Sequence, residues 1–322
     1  MNRSLLAVDI GNSAIKVAHF GLVSAQAPNV AAVPGGQATT NLPEPLAVLE
    51  WRTSDEQLSF PADWLPGGSA LWVVSSVNRG GWERVRNWVT EHRPSDELRT
   101  LTYRDLTLTI AVDYPERVGM DRLLTAVAAN CLRQPGRPAM VIDAGTALKV
   151  HAVNEKGEFV GGAIMPGLGI AARTLSGNTD LLPLVSVLTD GQAPQALGKN
   201  TEQAIQSGLY WGAIGAVKEL VTRMRAELLQ DGAVPAAGTA GTAGTAGTAA
   251  GTHFENNGGV SGETSKLFSR ENAAANGSSW SDVDLFVTGG DARGLVPLLD
   301  LPATYIPHLC LRALAVQATA IP

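Results

Sequence analysis

Two stretches of this chain put a carboxylate, a glycine and an amide or hydroxyl side chain within a few residues of one another. The first is Asp9-Ile10-Gly11-Asn12-Ser13 and the second is Asp143-Ala144-Gly145-Thr146. Glycine removes the Cβ, so backbone N–H groups can approach phosphate oxygens, and the amide and hydroxyl side chains add donors. The carboxylates suit Mg²⁺ held through water, because that ion dehydrates reluctantly. Two such turns facing each other across a cleft would grip a nucleoside triphosphate. Lys16, just beyond the first turn, fits either a point charge beside the phosphates or a solvated strand residue.

A third constellation is Gly119-Met120-Asp121-Arg122, followed by Leu123, Leu124, Val127, Ala128 and Cys131 at the spacing of an amphipathic helix. At that helix start Asp121 fits an N-cap carboxylate, worth about 1 kcal/mol. It also fits, less directly from local sequence, a general base beside an arginine that binds an anionic substrate. Two other glycine signals fail as phosphate motifs. Gly167-Leu168-Gly169-Ile170-Ala171-Ala172 matches the dinucleotide pattern but follows Pro166 and lacks an acidic partner. Gly198-Lys199 has Ala193 and Asn200 where a P-loop needs Gly and Ser or Thr.

The elements that must hold these residues follow from the same pattern. Leu6-Ala7-Val8 and Met140-Val141-Ile142 read as strands entering the two turns. Ala14-Ile15-Lys16-Val17 and Ala147-Leu148-Lys149-Val150 read as return strands. Further strands and helical pattern after each copy predict duplicated α/β lobes. A boundary near 118/119 divides the chain into a lobe at 1–118 and a lobe at 119–322. The second is interrupted at about 231–281, where a Gly-Thr-Ala repeat and Asn/Gly/Ser-rich sequence cannot bury enough apolar area to offset chain entropy. A helical stretch (Ile205 to Leu229) precedes this insertion and a strand (Leu285-Phe286-Val287) follows it, so it interrupts a lobe rather than separating two.

The 322 residues are 45% hydrophobic and 17% charged, a globular composition. With 24 Lys plus Arg against 30 Asp plus Glu, the net charge of −6 excludes a broad nucleic-acid footprint. No apolar run reaches membrane-spanning length, and the four apolar residues between Ser4 and Asp9 are too few for a secretory signal. Cys131 and Cys310 sit in apolar stretches and are expected as free thiols of a cytoplasmic protein.

Taken together, the motifs resemble the type III pantothenate kinases of the actin, hexokinase and heat-shock ATPase superfamily. They run, in the family's order, from Asp9-Ile10-Gly11-Asn12-Ser13 through Pro115-x-x-Val118-Gly119-x-Asp121-Arg122 to Asp143-Ala144-Gly145-Thr146-Ala147. They continue with Gly161-Gly162-Ala163-Ile164-Met165-Pro166-Gly167, Gly198-Lys199-Asn200-Thr201 and Thr288-Gly289-Gly290-Asp291. The resemblance implies an α/β fold of two ribonuclease-H-like lobes, with mixed sheets flanked by helices and a nucleotide cleft between them. It implies ATP-dependent phosphorylation of pantothenate, the first step toward coenzyme A, by a homodimer whose sites lie at the interface. ATP would rest on the turn from Asp9 through Ile10, Gly11, Asn12, Ser13, Ala14 and Ile15 to Lys16, and on Thr146, Gly289 and Gly290. Asp121 resembles the general base, and Gly119, Met120, Asp121 and Arg122 the substrate-binding run, with Thr201 reaching in from the neighbouring subunit. Asp143 is similar to the residue that holds a monovalent cation (K⁺ or NH₄⁺), and Asp9 would hold Mg²⁺ through water.

Three departures from the family pattern matter. Val112 stands where the family has a tyrosine, with Tyr114 two positions on, and Ser13 replaces a threonine. After Ala147 the family continues x-Thr-x-Asp, whereas this chain has Leu148-Lys149-Val150-His151. Lys149 and His151 share one face of a strand, so a potentially cationic pair is expected there. The Lys149 ammonium would then stand in for the monovalent cation near Asp143. No second histidine lies near His151 in sequence, which argues against a metal ligand. The departures leave two alternatives to pantothenate phosphorylation: a kinase of another small hydroxy acid, or a weakly active or non-catalytic ATP-binding accessory protein.

Overall fold

The computed structural model describes residues 3–23, 42–188, 193–231 and 280–320. The Gly-Thr-Ala insertion lies almost wholly outside the described residues.

Strands β1 (Arg3–Ile10), β2 (Ala14–Val23), β3 (Ala47–Arg52), β4 (Ala70–Ser76) and β5 (Glu97–Thr100) form a first sheet in the order β3-β2-β1-β4-β5. A second sheet is built from β6 (Ala139–Ala144), β7 (Ala147–Val153), β8 (Phe159–Pro166), β9 (Asp284–Thr288) and β10 (Ala303–Tyr305). Its order, β10-β9-β6-β7-β8, is the same arrangement again. In each sheet the central strand pairs antiparallel with the return strand of its hairpin and parallel with the strand on its other side. The duplication read from the sequence therefore extends to topology, and also to register. Asp9 pairs with Lys16 across the first hairpin, and Asp143 with Lys149 across the second.

Helices α2 (Met120–Leu132) and α6 (Leu309–Ala320) lie between the two sheets. Leu123, Leu124, Val127 and Ala128 of α2 are buried there, together with Leu5 and Ala7 of β1, Val141 of β6 and Leu311 and Leu314 of α6. Helix α1 (Arg79–His92) covers the outer face of the first sheet, where Leu6, Val8, Ile10, Ile15 and Val17 are buried. Helices α3 (Leu168–Gly177), α4 (Thr201–Asp231) and α5 (Ala292–Leu299) cover the outer face of the second sheet. Burying each such aliphatic side chain contributes roughly 1.5–3 kcal/mol before chain entropy is subtracted. The chain is thus an α/β protein of two lobes, each a mixed five-stranded sheet flanked by helices. Cys131 and Cys310 are free thiols, and no described helix is long and apolar enough to cross a membrane.

Candidate active site

Strand periodicity decides which side chains meet. Along β1, Leu6, Val8 and Ile10 point to the outer core, so Leu5, Ala7 and Asp9 point to the layer between the sheets. The same alternation sends Val141 and Asp143 of β6, and Lys149, His151 and Val153 of β7, toward α2. Asp9, Asp143, Lys149 and Asp121 at the start of α2 consequently line one cleft of about 600 Å³, together with both glycine turns. A neighbouring compartment of about 610 Å³ shares Ser13, Lys16, Thr146 and Gly290 with it and extends to Trp51, Arg52 and Arg173.

The first turn is closed by Gly11 N–H donating to Ala14 C=O at 2.9 Å and pinned by Thr53 Oγ1 donating to Gly11 C=O at 2.9 Å. The second turn is closed by Gly145 N–H to Ala147 C=O at 3.2 Å. Gly289 backs it with φ at +103°, and a Cβ there would lie 2.1 Å from Ala144 O. Only glycine permits both that conformation and that approach.

Lys149 Nζ donates to Asp143 Oδ2 at 2.6 Å and to Asp121 Oδ2 at 2.7 Å. Burial pushes the Asp121 carboxyl up. The Lys149 charge and hydrogen bond, with the Arg122 N–H, outweigh it and leave the group below its ordinary value. Burial pulls the Lys149 ammonium down, but the charges of Asp143 and Asp121 carry it above an ordinary lysine. Among the described residues no ammonium hydrogen-bonds Asp9, whose side-chain partner is the Cys310 thiol. Burial, then the Asp121 charge, raise the Asp9 carboxyl to about 6 against the pull of Lys16. Above about pH 6 Asp9 is a carboxylate facing a polar cleft, which fits a hydrated Mg²⁺, although no described group of three or more His, Cys, Asp or Glu forms a metal cluster.

Asp121 is not the cap of α2. Gly119 occupies the N-cap position, and Asp121 sits in the first turn with Oδ1 accepting from Arg122 N–H at 2.9 Å. Arg122 does not line the cleft. Its guanidinium lies 5.3 Å from the centre of the Phe159 ring, and its Nε is buried without a hydrogen-bond partner. Met120 packs against the central core. The side chains of Ile10 and Ile15 are fully buried, so these two can serve a nucleotide only through the main chain. Asn12, Ser13 and Thr146 are exposed at the cleft, with Ala14, Lys16, Gly289 and Gly290 beside them. Thr201 opens α4 away from the cleft lining, next to Asn200, whose Oδ1 accepts from Gln203 N–H at 2.8 Å.

The expectation of a cationic Lys149–His151 pair is corrected. His151 is 1% exposed, with Nε2 2.9 Å from Thr125 Oγ1. Burial, then the charges of Arg122 and Lys149, pull its ring down to about 3, so it is neutral. Val112 packs against the central core, whereas Tyr114 is exposed under the Arg117 guanidinium.

Several lining residues were not singled out from sequence: Thr125, Ile170, Arg173, Arg293, His308 and Cys310. A signal existed for some of them. Thr125 lies one helical turn beyond Asp121. Ile170 belongs to the glycine-rich stretch set aside as a dinucleotide motif, which here supplies the N-cap, Gly167, and the opening residues of α3 directly after β8.

The family model and the curated relatives agree on one family. The type III pantothenate kinase family model matches residues 5–223. A type III pantothenate kinase of Rhodopirellula baltica is 34% identical over 227 residues, covering 66% of this chain and 81% of that protein. One from Dehalococcoides mccartyi is 42% identical over 129 residues, covering 40% and 47%. The chain thus spans about half the length of some of the curated relatives it matches. Among solved structures, an inorganic polyphosphate/ATP-glucomannokinase from Arthrobacter aligns over 98% of this chain and 99% of its own at 12% identity, with a TM-score of 0.38. The matched span runs from β1 into α4 and so takes in both carboxylate hairpins and the Asp121 helix, and on this basis the chain belongs to the type III pantothenate kinase family.

Proposed function

We propose that the protein transfers the γ-phosphoryl group of ATP to the primary hydroxyl of pantothenate, giving 4′-phosphopantothenate and ADP, with Asp121 as general base. The observation that carries this reading is the convergence of Asp121 with Asp9 and Asp143 in one cleft between two glycine turns. Family membership supports the same chemistry. The turn from Asp9 to Lys16, with Thr146 and Gly290 opposite, offers main-chain N–H groups and hydroxyls to the phosphates. Asp9 would hold Mg²⁺ through water, and the ion, when bound, offsets charge on the phosphate oxygens.

In phosphoryl transfer, positioning and electrostatics dominate, so one well-held carboxylate suffices. The pantothenate hydroxyl oxygen bonds to the γ-phosphorus as the bond from that phosphorus to the β,γ-bridging oxygen breaks, and ADP leaves. The hydroxyl proton passes to Asp121. Its two oxygens each accept one internal hydrogen bond, leaving further lone pairs free. Gly119, Met120 and Arg122 flank Asp121 on the pantothenate side; Met120 would support that site from the core, and Arg122 would offer its planar donor group to an anion only on swinging off the Phe159 ring.

A homodimer in the reducing cytoplasm completes the proposal, with Thr201 of one copy reaching the other copy's site. Exposed Leu181, Leu184 and Leu197, close in sequence to Thr201, and Ile164 on β8 are apolar surface that a second copy would cover. An ADP-release assay over pantothenate and other small hydroxy acids tests the reading. Pantothenate-selective turnover is expected. Turnover with a different acid, or nucleotide binding without turnover, would replace it.

A further inference from the structure

The resemblance assigns Asp143 a monovalent cation, and the residues present do not leave it that role. Asp143 Oδ2 already accepts from the Lys149 ammonium at 2.6 Å, and the same nitrogen is 2.7 Å from Asp121 Oδ2. All three side chains are largely buried, with relative exposures of 13% for Lys149, 16% for Asp143 and 27% for Asp121. Two carboxylates brought this close in a low-dielectric site need a positive charge between them. A second cation at Asp143 would have to approach a fixed ammonium at hydrogen-bonding distance from the same carboxylate, where like-charge repulsion opposes it.

The contact is built into the sheet. Lys149 is the cross-strand partner of Asp143 in the β6–β7 hairpin, just as Lys16 is of Asp9 in the β1–β2 hairpin. The two lysines nevertheless differ in what they touch. The nearest ion pair of Lys16 is Glu50, at 3.8 Å and with a 56% exposed carboxylate, and Lys16 stays at the cleft wall. Lys149 is drawn inward because α2 adds a second carboxylate, Asp121, above the same strand face. Neutral His151, two residues along that face, leaves Lys149 as the cation of the β7 surface toward α2.

We propose that Lys149 is a tethered active-site cation: its ammonium joins Asp143 to Asp121, positions the Asp121 carboxylate, and makes the protein independent of added monovalent cations. Lys149 is a positioning residue here. Its role toward the base rests on the function proposed above, whereas the exclusion of a free cation does not.

The experiment has two arms on the full chain. Thallium(I), a potassium-sized probe, is titrated into the wild-type protein and into Lys149→Ala, followed by ²⁰⁵Tl NMR. ADP release is measured in parallel in potassium and in tetramethylammonium. The wild type is expected to bind no thallium saturably and to turn over within about twofold in the two salts. Lys149→Ala is expected to bind thallium. It should lose about 100-fold in kcat in tetramethylammonium, the cost of a base shifted by roughly an ångström, and recover part of it in potassium or ammonium. Loss of packing alone would not produce that cation-specific rescue. Saturable thallium binding by the wild type, or stimulation by potassium of about tenfold or more, overturns the proposal. So does a folded Lys149→Ala with unchanged kcat in tetramethylammonium. If Lys149→Ala does not fold, the wild-type titration decides alone. If the wild type releases no ADP with pantothenate, the function fails while the thallium arm still judges the tethered cation.

Discussion

A Cβ on Gly119 would lie 2.5 Å from Oδ1 of Asp121. The N-cap glycine of α2 therefore makes the space in which the carboxylate folds back onto Arg122 N–H while reaching Lys149 with its other oxygen. Gly119→Ala should push that carboxylate out of register with little effect on the fold, because φ at this position is −59° and open to any residue. The expected outcome is a fall of about 10- to 100-fold in kcat with an unchanged KM for ATP, read from initial rates of ADP release. Wild-type kcat in this variant would mean that the position of Asp121 does not limit the reaction.

Asp121→Asn keeps the shape of the side chain and removes its capacity to accept a proton. A loss of kcat of about 100- to 10,000-fold is expected, the range for a missing general base. Nucleotide affinity, measured by calorimetry, should change little, since the phosphates are served by the two turns.

Asp9 should set the acid limb of the pH profile. Its carboxyl is raised to about 6, so as pH falls through that value it takes up a proton and ceases to attract a divalent ion. The kcat/KM for MgATP is expected to drop below about pH 6 and to lose that limb in Asp9→Asn. The stability effect has the opposite sign. Between the ordinary value of 3.8 and about 6 the folded state binds the proton more readily than the unfolded chain, so protonating Asp9 stabilises the fold as pH falls.

His151 works the other way on stability. Its ring titrates at about 3 when folded and 6.5 when unfolded. The unfolded chain therefore binds the proton more readily over that span, and stability is lost as pH falls from 6.5. Comparison with His151→Gln by urea denaturation isolates the effect, because the Asp9 contribution cancels in the difference. The wild type should lose stability faster than the variant, by up to about 1.4 kcal/mol per pH unit. Parallel curves would show that the ring gains a proton in the folded state.

What was legible in the sequence was what local period and turn chemistry control. The Asp-x-Gly hairpins, the buried stripe Leu123, Leu124, Val127 and Ala128 of α2, and the equivalence of Lys16 and Lys149 all depend on near neighbours in the chain. The contact of Lys149 with Asp143 was within reach too, because it is a cross-strand pair. Its second contact, with Asp121, was not. That contact depends on how α2 docks on β7, a matter of packing around Thr125 and His151 rather than of spacing. The neutrality of His151 and the turn of Arg122 onto Phe159 were hidden for the same reason, since burial is a property of the assembled layers. The departure from local reading at Asp121, where a first-turn carboxylate is bonded to a distant lysine instead of capping its helix, falls where the chemistry is expected.

Helix α6 carries a consequence for how the molecule is made. It packs on β1 and α2, and its Gln317 receives a hydrogen bond from Thr107 N–H at 2.9 Å and gives one to Thr107 Oγ1 at 2.7 Å. Arg312 likewise reaches back to Leu42 C=O at 3.0 Å. During translation, all five strands of the first sheet leave the ribosome well before the helix that covers one of their faces. Until residues 309–320 emerge, that face has only part of its covering, and the nascent chain is exposed to the sticking that chaperones prevent. Long-range closure of this kind slows folding, and trimming the chain within α6 should impair the amino-terminal sheet, more than two hundred residues upstream.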